Sequence, residues 1–307
     1  MLAAMLNQID VLSMKRVLFL SILIALAGCD LYPQNEFQER YVVEAYLTAQ
    51  HPLPEVKLST TAPVDEAYQF ENETVDNAQV QVTYTGNLSD PAETISYQLR
   101  EPGIYQPISN HSVKPLGRYK LEVTFPNSSD RIEAYTVVPD TFRSVSTNRD
   151  TVVYQSTEQI VIKTTPSFYP NRQSIFVFNI ISLDPVEENL TPFYADAVEG
   201  DATVDEFESN SSGIINEENY DRNPDGTLSL RIPWLGVAFY EDNLLVANAI
   251  DDNLYDFIRS QSVQLGGSTQ SPGEIQNVIY NIEGGIGVFG SIAADTVQAY
   301  IRRPLGF

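Results

Sequence analysis

Strict two-residue alternation constrains this chain more than any other feature. From Ala78 to Thr85, Val80, Val82 and Tyr84 alternate with Gln79, Gln81 and Thr83. A strand turns successive side chains to opposite faces, so such a stretch offers one face to a core and one to water. Ile95, Tyr97 and Leu99 repeat the pattern, as do Tyr119, Leu121, Val123 and Phe125, while Val43, Ala45 and Leu47 supply another inward face. Gly86-Asn87, Pro102-Gly103 and Leu116-Gly117 provide turn chemistry between them. Half-buried strands joined by short turns predict an antiparallel sandwich of the immunoglobulin or transthyretin kind.

After Pro139-Asp140, a boundary by its turn chemistry, strands continue. Gln159 to Thr165 alternates, and Ser174 to Ile181 is almost continuously apolar, as a strand buried on both faces would be. Asp184 to Asp225 is acidic and polar, which predicts an insertion with a short helix after Pro185 and loop elsewhere. Strands resume at Leu228 to Ile232 and Leu244 to Ala249. Asp251-Asp252 can then cap a helix with Leu254, Phe257 and Ile258 on one face. A glycine-rich stretch leads to a closing strand at Thr296 to Ile301. The expected fold is all-β: an N-terminal immunoglobulin/transthyretin-like sandwich, then a second β-rich domain with an acidic insertion and a short helix.

The N-terminus carries an address. Lys15-Arg16, the apolar run Val17 to Ala25 and Leu26-Ala27-Gly28 have the layout of a secretory signal: charged start, short apolar middle, small-residue cleavage site. The apolar run is about half the ~20 residues that a membrane-spanning helix needs. Cys29, placed directly after the cleavage site, resembles the lipobox cysteine of bacterial lipoproteins. That resemblance implies cleavage before Cys29 and a lipid on its thiol. Met1 to Ser13 is an odd polar prefix to a signal, so Met14 is the expected start. The expected organisation is signal peptide over 1–28, lipidated tether over 29–36, sandwich over 37–139 and β-rich domain over 140–307.

Charge excludes one class of partner. With 41 acids against 18 bases, the chain has a formal net charge of −23 and repels phosphate backbones, so nucleic acid is not an expected partner. Cys29 is the only cysteine, so no intrachain disulfide can form. A chain of this length can stand on its core alone.

Catalytic equipment is sparse. The two histidines, His51 and His111, read as loop residues of the first region. The only thiol is assigned to lipid, and neither a G-x-S-x-G elbow nor an H-E-x-x-H helix is present. Gly285-Ile286-Gly287-Val288-Phe289-Gly290 matches the letters of a dinucleotide fingerprint. That fingerprint works only between a strand and a helix, and the surroundings here read as β, which favours a tightly packed glycine bend. Asp221-Arg222-Asn223-Pro224-Asp225-Gly226 matches the first half of a calcium loop, with Asp221, Asn223 and Asp225 as alternate oxygen ligands. The twelfth position, where a bidentate Glu belongs, is Ile232, so Glu217 or Glu218 would have to substitute. Calcium is thus the one cofactor the sequence suggests. Tyr68, Phe70, Tyr169, Phe193, Tyr194, Phe207 and Tyr220 fall in predicted loops, where aromatics suit binding surfaces; most are expected to complete the cores.

Several segments together resemble a known family: Tyr41-Val42-Val43-Glu44-Ala45, Gly103-Ile104-Tyr105, Pro115 to Leu121, Ala134 to Pro139, Tyr255 to Ser260 and Asn281 to Gly290. With the lipobox, they are similar to the Bacteroidota lipoproteins grouped as domain of unknown function 4249. The resemblance implies an outer-membrane lipoprotein, periplasmic or surface-exposed, often encoded beside a TonB-dependent receptor, and it brings no catalytic residues. The expected function is a lipid-anchored, non-enzymatic binding protein accessory to such a receptor in nutrient uptake. The alternatives are a structural or assembly lipoprotein with a protein partner only, and a carboxylate-based glycosidase. The acidic insertion is the expected receptor contact.

Overall fold

The alternating stretches are strands in the computed structural model, which describes residues 37–63, 65–86, 90–126, 128–147, 151–200, 202–215, 220–262 and 277–304. The first seven are β1 (Tyr41–Thr48), β2 (Val56–Thr60), β3 (Gln79–Tyr84), β4 (Glu93–Glu101), β5 (Ile104–Pro107), β6 (Arg118–Thr124) and β7 (Arg131–Val137). Their apolar residues point inward as the period demands: Val43, Ala45 and Leu47 on β1, Val80, Val82 and Tyr84 on β3, and Tyr119, Leu121 and Val123 on β6 are all buried. Leu99 departs from the pattern and is exposed. The β4–β5 hairpin turns at Gly103, whose φ of +68° suits glycine and whose N–H donates to Asp76 Oδ1 at 2.7 Å.

The remaining strands are β8 (Ser144–Thr147), β9 (Thr151–Val153), β10 (Ile160–Thr164), β11 (Phe168–Tyr169), β12 (Arg172–Gln173), β13 (Ile175–Ser182), β14 (Ser209–Ile214), β15 (Tyr220–Arg222), β16 (Leu228–Ile232), β17 (Glu241–Ile250), β18 (Ile282–Glu283) and β19 (Ile286–Arg302). The helices are α1 (Pro192–Gly200) and α2 (Asp252–Ser262). One hydrogen-bonded path runs β14-β13-β17-β19-β1-β2-β5-β4-β3-β6-β7-β18, with β9 beside β19. A second sheet runs β15-β16-β10-β8, and β11 and β12 form a hairpin. The protein is all-β and sandwich-like. The strand ladder crosses the Pro139–Asp140 boundary, because β19 pairs in parallel with β1 and antiparallel with β17. One core cluster likewise takes Leu47 and Tyr119 from one side of that boundary and Phe176, Phe178 and Phe289 from the other. Residues Arg40–Phe307 form one compact unit.

The glycine-rich stretch is the first half of β19, not a bend before a short closing strand. In register with β1, Gly287 lies opposite Val43; a Cβ there would meet the Val43 carbonyl oxygen at 2.1 Å, and its φ is +108°. A Cβ on Gly290 would meet the Leu254 side chain of α2 at 2.5 Å. Glycine is therefore needed where β1 and α2 approach β19 most closely. This position within a sheet, with no helix following, is not that of a dinucleotide fingerprint.

The acidic insertion is more ordered than its composition suggests. It contains α1 and β14, and β14 pairs with β13 at the end of the large sheet. Its sequence Ser-Asn-Ser-Ser-Gly-Ile gives little apolar signal because an edge strand needs little. Tyr194 and Phe207 close a small core with Leu190, Ala238 and Phe239 beneath α1.

A buried polar chain ties β7, β19 and α2 together. Asp251, fully buried, accepts the Leu254 N–H at 2.9 Å and so caps α2 as the sequence predicts. Its Oδ2 lies 2.5 Å from Thr136 Oγ1, which lies 2.7 Å from Ser291 Oγ, and Ser291 Oγ donates to the Val137 carbonyl at 3.0 Å. These three contacts need three hydrogens, and the two hydroxyls hold two. The chain closes fully when the carboxyl supplies the third. Burial, the largest influence, pushes the Asp251 carboxyl up to about 6, against hydrogen bonds that lower it.

Candidate functional site

The predicted site residues separate on the structure. Cys29 lies outside the described residues, as do Glu217 and Glu218. His111 is buried: one ring nitrogen lies 2.7 Å from Glu93 Oε2, the other 3.0 Å from the Tyr119 hydroxyl, and the ring packs beside Tyr84. These contacts make it a strut of the first half. Among the described residues, no three His, Cys, Asp or Glu side chains gather closely enough to hold a metal.

Asp221, Asn223 and Asp225 do share one hairpin turn, from β15 into β16. Asp221 pairs with Arg231, and Asp225 Oδ2 pairs with Lys163 Nζ at 2.8 Å. Lys163, then Thr227, holds the Asp225 carboxyl well below the usual carboxylate range. The Asn223 amide donates to Thr227 Oγ1 and Ser229 Oγ. A calcium ion here would compete with two cationic side chains for both carboxylates.

The same turn forms one wall of a cleft that the sequence did not reveal. Thr164 at the end of β10 pairs with Leu228 at the start of β16. This brings the segments on either side of that ladder end together: Pro166 to Gln173, carrying the β11–β12 hairpin, and Arg222 to Leu228. Between them lies a cavity of about 510 Å³ lined by Pro166, Phe168, Arg172, Gln173, Arg222 and Leu228, with Ser167, Asn223 and Gly226 completing it. Among the described residues no carboxylate lines it, although the chain is strongly acidic.

The two guanidiniums play different parts. Arg172 is fixed: Nε donates to Asp252 Oδ1 at 2.8 Å, Nη1 to the Gln173 carbonyl at 3.0 Å and Nη2 to the Ile250 carbonyl at 3.3 Å. Its Cζ lies 4.0 Å from the Tyr169 ring centroid, over the ring. Arg222 donates to Gln173 Oε1, and among the described residues no carboxylate lies within ion-pair distance of it. The Gln173 Nε2 is buried and has no acceptor. Phe168 presents its ring to solvent, 61 % exposed, whereas its neighbour Tyr169 is buried. The signal that could have found this site is Phe168-Tyr169-Pro170-Asn171-Arg172, a turn with aromatics before it and a cation after it; only Tyr169 stood out in sequence, and it supports the cleft from below the surface through Arg172.

A second surface feature surrounds α1. Phe193 is 58 % and Leu235 63 % exposed. Both adjoin buried Tyr194: the Phe193 ring is 5.0 Å from its ring, and its hydroxyl donates to the Leu235 carbonyl. Of the loop aromatics picked out in sequence, Tyr68 and Phe193 are exposed, Phe70, Phe207 and Tyr220 are partly buried, and Tyr169 and Tyr194 are buried. Among the described residues, no helix is long and apolar enough to cross a membrane.

Among solved structures, the chain matches the three N-terminal domains of the bacteriophage RB49 Highly Immunogenic Outer Capsid protein at 11% identity. The match covers 87% of this chain and 71% of that one, at a TM-score of 0.20, too low to bear on fold or function. A search of curated proteins gives no match. The model for the domain of unknown function DUF4249 matches residues 30–298, nearly the whole length, and the chain belongs to that family.

Proposed function

We propose that this chain is a binding protein, anchored to the outer membrane by lipid on Cys29, that serves a TonB-dependent receptor in nutrient capture. The observation that carries the reading is the cleft: a cavity with two arginines, an exposed phenylalanine and no acid among the described residues, on a chain of net charge −23. Such a mixture of apolar wall and a few placed polar groups is typical of ligand sites. Among the described residues the cleft's one lining hydroxyl, Ser167 Oγ, donates to the Asp140 carbonyl at 3.0 Å or shares a hydrogen with Ser174 Oγ at 2.8 Å, and no base lines the cavity beside it. The membrane address rests on the signal layout and on the lipobox cysteine.

Affinity purification of the tagged protein from gently solubilised native membranes tests this reading. A TonB-dependent receptor should co-purify with wild type, and Cys29→Ser should move the protein to the soluble fraction with loss of lipid labelling. Recovery of wild type without any receptor would overturn the reading. The exposed pair Phe193 and Leu235 suits a protein interface, with the receptor on the first reading and with an assembly component on a second, in which the chain is an assembly lipoprotein that meets only another protein. An assembly component in place of the receptor would select it.

A further inference from the structure

We propose that the cleft between the β11–β12 hairpin and the β15–β16 turn binds a carboxylate carried on an apolar body. This rests on the reading of the protein as a binding module and names what the module takes. The polar groups around the cleft are mostly committed within the protein. Three nitrogens of Arg172 have acceptors, the Asn223 amide has two, and Ser167 Oγ is bonded to Asp140 and Ser174. What remains is donating capacity: the guanidinium of Arg222 beyond its bond to Gln173, and the Gln173 Nε2, buried without an acceptor.

The uncommitted charged group and the buried unsatisfied atom are both donors, and together they call for an acceptor. Since one of them is a guanidinium with no carboxylate partner among the described residues, the acceptor should be an anion. The planar fork of a guanidinium matches the two oxygens of a carboxylate. The amount of charge also discriminates. Arg222 can neutralise one negative charge, whereas Asp221, Asp225 and Asp252 stand close by on the turn and at Arg172, so a phosphate dianion would meet uncompensated repulsion. Turning Arg222 toward a ligand would also uncover the Gln173 amide, whose Nε2 would gain the acceptor it lacks.

The other walls are apolar. Pro166, Leu228 and the exposed ring of Phe168 offer a surface that a carboxylate alone would leave wet. At about 510 Å³ the cavity falls within the size range of small-molecule sites. The same chemistry could come from a free organic acid or from the C-terminus of a short apolar peptide.

The test is calorimetric titration of the full mature protein with four probes: 3-phenylpropionate, its primary amide, the tripeptide Ala-Leu-Phe and the same tripeptide amidated at its C-terminus. One of the two acids should bind saturably, and its amide at least about tenfold more weakly, as expected for a lost charge-assisted pair. Arg222→Gln should weaken the acid by a similar factor and leave the melting temperature unchanged; Phe168→Ser should weaken acid and amide alike. Binding by the first acid alone identifies a small organic acid, and by the tripeptide alone a peptide end. No saturable binding of either acid, equal binding of acid and amide, or indifference to Arg222→Gln would overturn the proposal. If receptor co-purification survives any of these failures, only the ligand class falls; if it fails too, the binding reading falls with it.

Discussion

Raising the pH through the acid range should destabilise this protein at one buried carboxyl. Asp251 is pushed from the ordinary 3.8 up to about 6, mainly by burial, with Asp252 adding to the rise and the Leu254 and Ser291 backbone opposing it. The Tyr169 hydroxyl faces the same region, and Arg172 binds the Ile250 carbonyl next door. The folded protein therefore holds this proton more tightly than the unfolded chain does. The stabilisation is full below pH 3.8 and is lost as pH rises through about 6. At about 1.4 kcal/mol per pH unit, the difference amounts to ~3 kcal/mol by neutral pH. Glu122 and Glu133, both held low first by Lys120 and then by other partners including Arg131, act in the opposite direction: their stabilisation is present above the usual carboxylate range and is lost on acidification. Whole-protein curves mix these contributions, so the informative quantity is a difference. Asp251→Asn carries its hydrogen at every pH. Urea unfolding of both proteins between pH 4 and 7.5 should show the stability difference moving by ~2.5 kcal/mol in favour of the variant as pH rises, since part of the full shift lies below pH 4. Any fixed cost of the substitution cancels from that change. A difference that stays constant across the range would refute both the raised carboxyl and the proton count of the Asp251–Thr136–Ser291 chain.

Gly287→Ala should cost more than ~3 kcal/mol or prevent folding, because the new Cβ meets the Val43 carbonyl at 2.1 Å on a backbone with φ of +108°. A urea midpoint within experimental scatter of wild type would contradict the close β1–β19 approach. Melts in excess calcium and in chelator test the β15–β16 turn. With Asp221 and Asp225 paired as they are, the two should coincide, whereas a rise of several degrees abolished by Asp221→Ala with Asp225→Ala would show the turn rearranging around the ion. Deleting Ser209 to Ile214 should destabilise the large sheet, since it removes β14 from β13; unchanged stability would return this stretch to the status of a solvated loop.

The sequence made the first half of the fold legible because its strands have one wet face, so their period shows. The tips at Gly103 and Leu116, both at positive φ, were readable from turn chemistry. The Asp251 cap was readable too, since an Asp before an amphipathic run has few other uses. Three features were hidden, each for a physical reason. The first half of β19 is glycine-rich, and its pairing with β1 and β17 comes from contacts far apart in sequence. The edge strand β14 needs no apolar period. The cleft is assembled from residues about fifty positions apart by the β10–β16 ladder, and Arg222 looked like one letter inside a calcium pattern rather than a cation lining a cavity.

Site-directed photocrosslinking in native membranes tests the central claim most directly. A photoreactive residue placed at Phe193 or Leu235, both exposed beside α1, should capture a TonB-dependent receptor in intact cells, with identification by mass spectrometry. The same residue at exposed Tyr135, on strand β7, serves as the control. Receptor adducts from Phe193 or Leu235 and none from Tyr135 are the result this account predicts. Adducts only with envelope-assembly proteins, or none from any position in cells that hold the protein at the outer membrane, would contradict it.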